Sequence, residues 1–88
     1  MNPKASTFRA ATEAQIRSKV QMVLKNETAF GVLSTGEKIA VAFVLDRPDL
    51  VQKAWGTMLD AVDRLGLEWT RAALEVQRNL VWQQEELA

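Results

Sequence analysis

Apolar residues recur at helical spacing along most of this chain. Ile16, Val20, Val23 and Leu24 are separated by four, three and one positions, which places them on one side of a helix. Ser6 or Thr7 offers a hydroxyl to cap its first turn. The helix is expected to run to about Lys25, with Asn26 acceptable at its C-terminal end. Ahead of it, Asn2-Pro3 and the small or polar residues that follow have little to bury. Residues 1–6 are therefore expected to form a disordered tail.

The pattern changes between Thr28 and Leu45. Ser34-Thr35-Gly36-Glu37 has the spacing of a capping box, in which the serine hydroxyl and the glutamate carboxylate each accept from an otherwise orphan backbone N–H. On that reading the run Ile39–Leu45 is a short helix buried nearly all round. The rival reading makes Thr35-Gly36 a turn between strands Phe30–Leu33 and Lys38–Val44, since Ile39, Val41, Phe43 and Val44 also favour strands. The helix is preferred, because the box sets an acidic residue directly ahead of the apolar run.

Asp46-Arg47-Pro48-Asp49 punctuates the chain. Proline disfavours helical geometry at Arg47 but fits the first turn of a new helix, whose positive end suits both aspartates. That helix is expected from about Pro48 to Leu65, with Val51, Trp55, Met58, Leu59 and Val62 as its apolar stripe. Gly56 falls inside it, at a cost of roughly 1 kcal/mol relative to alanine, and close packing against another helix would explain it. Gly66 is expected to end it.

The last helix, from about Leu67 to Glu86, carries two apolar lines. One runs through Trp69, Ala73, Val76, Leu80 and Leu87, interrupted by Gln83. The other, through Leu67, Leu74 and Val81, lies more than about 90° away at 100° per residue, and Trp82 lies beyond it. A helix apolar on two sides is covered twice, by its own fold or by a second subunit. The pattern as a whole predicts an all-α domain, a bundle of three to four helices that forms a homodimer. The alternative is an α+β fold with one hairpin around residues 30–44. The candidate interface comprises Trp69, Val76, Leu80, Trp82, Leu74 and Val81.

Composition narrows the chemistry. Eighty-eight residues make one small domain, residues 1–88, and the chain contains no cysteine and no histidine. Neither a disulfide nor the usual zinc site can staple it. The first residues, MNPKASTFRAATEAQ, lack the apolar stretch of a secretory signal. The longest apolar run, Ile39–Leu45, is far short of the roughly 20 residues needed to span a bilayer. A cytoplasmic location with no membrane contact is expected. Net charge is zero but uneven, because residues 1–25 hold Lys4, Arg9, Arg17, Lys19 and Lys25 against Glu13 alone. Arg9, Arg17, Lys19 and Lys25 are the candidate basic surface, and a solvated helix face is its simplest explanation.

With no His, Cys or Tyr, the commonest general base, the thiolate and the phenol are all missing. Asp46 and Asp49 beside Arg47 read as helix-capping groups, and Asp60 and Asp63 beside Arg64 as solvated surface. Ser34–Lys38 lacks the glycine pattern and ending of a phosphate loop. Arg64, Arg71 and Arg78 repeat every seven residues, but Glu68 and Glu75 stand at ordinary helix-pairing distances from them. No cofactor, no metal and no catalytic residue are expected. The sequence points to a non-enzymatic, self-associating protein that binds another macromolecule, with an unknown protein partner. The alternative is a nucleic-acid-associated regulator working through the basic first helix, and a carboxylate enzyme ranks third.

Overall fold

A computed structural model describes the backbone of residues 3–87 and the side chains of residues 9–80. Among the described residues the protein is all-α. Its elements are α1 (Pro3–Lys25), a 3-10 helix (Glu27–Val32), α2 (Thr35–Val44), α3 (Pro48–Ala54), α4 (Met58–Leu65) and α5 (Leu67–Leu87). The alternative hairpin is absent, because its first strand is the 3-10 helix and its second is α2.

The middle of the fold is α2. Ser34 accepts from the Glu37 N–H at 3.2 Å, and Glu37 Oε1 accepts from the Ser34 N–H at 2.9 Å, so the expected capping box is formed. Ile39, Ala40, Val41 and Ala42 are four consecutive residues with 0% exposure. Four neighbours in a row span every side of a helix, so α2 is enclosed rather than amphipathic. It packs against α1, α3, α4 and α5. Ala40 and Ala42 allow that crowding, since a small side chain lets a neighbouring helix come close.

Three expectations about the flanking elements are corrected. The first helix begins at Pro3, so Ser6 and Thr7 are helical residues rather than caps; of the expected tail, residues 3–6 are assigned to the helix and residues 1–2 lie outside the described residues. Proline suits a first helical position, where its missing N–H is no loss. On α1, Ile16, Val20 and Val23 are buried as expected, but Leu24 is 60% exposed. Asn26 closes α1 as expected, its N–H donating to the Met22 carbonyl at 3.0 Å, and it also caps the 3-10 helix, its side-chain oxygen accepting from the Thr28 N–H at 3.1 Å and the Thr28 hydroxyl at 2.7 Å.

The third correction is larger. The single helix expected over Pro48–Leu65 is two helices, broken at Trp55–Thr57. Gly56 has φ +126°, where only glycine is comfortable. No atom lies within 4 Å of where its Cβ would be, so it is not there for close packing. Thr57 then caps α4 by accepting from the Asp60 N–H at 3.2 Å. The fold therefore has five α-helices and one 3-10 helix among the described residues, more than the three to four expected.

Candidate functional site: an apolar face on α4 and α5

Breaking the chain at Gly56 decides what α4 shows to solvent. Its eight residues turn Ala61 and Leu65 inward, while Met58, Val62 and Leu59 remain 45%, 41% and 83% exposed. The chain reverses at Gly66, φ +87°, whose N–H donates to the Val62 carbonyl at 3.0 Å. The Thr70 hydroxyl donates back to the Gly66 carbonyl at 2.7 Å, fixing the start of α5 beside α4.

On α5 the two apolar lines have different fates. Val76 and Ala73 are buried, and Trp69 and Leu80 pack against the core, so the first line faces the chain's own interior. Leu67 and Leu74, on the second, are exposed. Of the six candidate interface residues, Trp69, Val76 and Leu80 thus belong to the intrachain core and Leu74 lies at the surface. Val81 and Trp82 lie outside the described side chains.

Between α4 and α5 runs a groove of about 280 Å³. Met58 and Val62 form one wall, Ala73 and Leu74 the other, and Phe43 of α2 lines it as well. One polar group in it, the Gln77 amide, is already spoken for. Its nitrogen donates to the carbonyls of Phe43 at 3.1 Å and Val44 at 3.2 Å, tying α5 to the end of α2. Gln77 was not legible from spacing, because a glutamine beside an apolar stripe has no distinguishing pattern. Trp55, just after α3, is 47% exposed, and the Arg64 guanidinium sits over its ring, 5.4 Å from the centroid. Such a contact contributes about 0.5–1 kcal/mol at an exposed site.

A second, larger concavity of about 900 Å³ lies among the 3-10 helix, the start of α2 and α3. Glu27 and Asp49 pair with Arg47 within it, and Lys38 and Lys53 line it as well. Arg47 donates to both Asp49 oxygens, Nε–Oδ1 at 3.0 Å and Nη2–Oδ2 at 2.8 Å, and its Nη2 is 3.1 Å from Glu27. The Arg47 hydrogen bonds hold the Asp49 carboxyl below its ordinary pKa, which makes it a weaker base. Asp46, at φ +53°, is exposed on the preceding turn. Asp60 and Asp63 are exposed on α4. Among the described residues no three acidic groups come together in a way that could hold a metal ion.

The basic residues of α1 whose side chains are described do not converge. Arg17 and Lys19 point about 160° apart around the helix at 100° per residue. Lys19 lies 3.8 Å from Glu37, and Arg9 and Lys25 are exposed near opposite ends of the element. On α5, Arg78 pairs with Glu75 at 3.1 Å. No helix among the described residues is long and apolar enough to cross a membrane. Comparison with protein families, curated proteins and solved structures finds no match to this chain.

Proposed function

We propose that this chain is a protein-binding module that acts without chemistry of its own, and that the α4–α5 face is its working surface. The observation that carries this reading is the exposure of Met58, Leu59, Val62, Leu67 and Leu74 on two adjacent helices around an apolar groove. Exposed single leucines are ordinary, but a contiguous apolar patch on a small domain marks a surface that is covered in use. Self-association as a homodimer belongs to the same reading, since a second copy covers the patch without additional chain. Nucleic-acid binding through α1 gains no support from the geometry, because its cations diverge.

Leu74→Glu tests the reading. Leu74 is 42% exposed, so the variant should keep its helical circular dichroism and, at concentrations where the unmodified chain is monomeric, its unfolding midpoint. Its self-association, followed by sedimentation over a range of concentrations, should fall at least tenfold. A Leu74→Glu protein that associates as tightly as the unmodified chain would refute the assignment of this face.

A further inference from the structure

The apolar face has edges of opposite charge, and this determines how a second copy fits. With about 100° per residue, successive positions on each helix can be ordered across the surface. On α4, Met58 and Val62 border the groove, Leu59 comes next, and Asp63 and Asp60 form the outer edge. On α5, Thr70 and Gln77 border the groove, Leu74 and Leu67 come next, and Arg78 and Arg71 lie just beyond them. Glu75 and Glu68 sit further round, facing away from the groove. The face thus runs from acid through apolar to base. Asp60, Asp63, Arg71 and Arg78 are all exposed.

A face with this gradient is complementary to itself in one arrangement. A two-fold axis lying along the groove sets each α4 on the other copy's α5 and each acidic edge on a basic one. An axis across the groove sets α4 on α4 and brings Asp60 and Asp63 against their own images, which like-charge repulsion disfavours. Isologous interfaces require such self-complementarity. We propose that two copies of this chain pair through the α4–α5 face about an axis along the groove, with Asp60 and Asp63 of one meeting Arg71 and Arg78 of the other. The pair Arg78–Glu75 does not prevent this, because an exposed pair three residues apart on a helix is weak and readily exchanged.

This proposal rests on the α4–α5 face being the working surface, and charge reversal separates the two claims. The unmodified chain, of 9.9 kDa, should show twice that mass by light scattering at high micromolar concentration. Asp63→Arg and Arg71→Asp should each weaken dimerisation about tenfold or more, since the symmetry repeats every clash twice. The double variant carrying both changes in one chain should recover it, because each new arginine then meets a new aspartate. If the unmodified dimer is split by Leu74→Glu but neither single reversal matters, the face stands and the α4-on-α5 arrangement is overturned. Singles that weaken without recovery in the double overturn it as well. A stable monomer at high micromolar concentration overturns both claims.

Discussion

Two short helices of this protein, α2 and α4, are both rich in apolar residues and meet opposite fates. In α2 the four residues from Ile39 to Ala42 have no exposure at all. In α4 Ala61 and Leu65 are buried while Met58, Leu59 and Val62 remain at the surface. The difference lies in their surroundings. Four other helices enclose α2, whereas α4 touches α2, α3 and α5 and has an open side. Apolar content indicates that a helix must be covered; the number of neighbours the fold supplies decides whether the chain covers it alone.

The same change placed in each helix sharpens this comparison most. Val41→Asp puts a carboxylate where exposure is 0% and no partner is at hand. A domain of this length has roughly 4–13 kcal/mol of stability, and an unpaired buried charge costs several of those. The variant should be unfolded, or nearly so, by circular dichroism. Leu59→Asp, at a residue 83% exposed, should move stability by no more than about 0.5 kcal/mol in urea unfolding of chain dilute enough to be monomeric. If Leu59→Asp also unfolds the chain, the α4 surface is needed for folding itself, and the proposed dimer is obligatory rather than an association of stable monomers.

The boundary between the regions was the part least legible in the sequence. The α2 capping box was readable because it is a local motif, with donor and acceptor three residues apart. The two-sided character of α5 was readable from its spacing. Which of its lines faces inward was not, because Trp69–Leu80 and Leu67–Leu74 are both apolar and only the packing of α1, α2 and α4 distinguishes them. The break at Gly56 left a signal that helical periodicity overrode: a glycine followed by Thr57 and, three residues on, Asp60, the pattern of a helix stop and a new N-cap. The groove between α4 and α5 left none, since Phe43 and Gln77 reach it from elements 34 positions apart.

That break is open to test. Gly56→Ala adds a methyl group with no atom within 4 Å, so sterics with neighbours cost nothing. The backbone is another matter, because φ +126° is forbidding for any residue with a Cβ. Destabilisation of about 1–3 kcal/mol is expected, read from the urea midpoint. Were Gly56 instead inside a continuous helix, alanine would stabilise by up to about 1 kcal/mol. The sign of the change therefore distinguishes two helices from one, and with it whether Met58 and Val62 are turned toward the groove.

A local effect is expected at the start of α2, where Ser34→Ala should cost about 1 kcal/mol through the lost cap, and Glu37 adds a pH dependence. Glu37 accepts from the Ser34 N–H, from Gln15 at 3.2 Å through its other oxygen, and lies near Lys19. The Ser34 backbone hydrogen bond is the main cause holding its pKa below the ordinary 4.5; partial burial opposes the shift, and Gln15 and Lys19 reinforce it. A carboxyl with a lowered folded-state pKa stabilises the fold when ionised. Its contribution is complete above the unfolded-state value and is lost as pH falls through the lowered folded-state value. Glu37→Gln keeps an oxygen that can accept the Ser34 N–H but removes the charge. The variant should be less stable than the unmodified protein at about pH 7, and the gap should narrow by about pH 3 as protons are taken up first by the unfolded and then by the folded chain. Urea unfolding of the two proteins at both pH values measures it. A gap of equal size at the two pH values would mean that shape and hydrogen bonding, not the carboxylate charge, tie the first turn of α2 to α1.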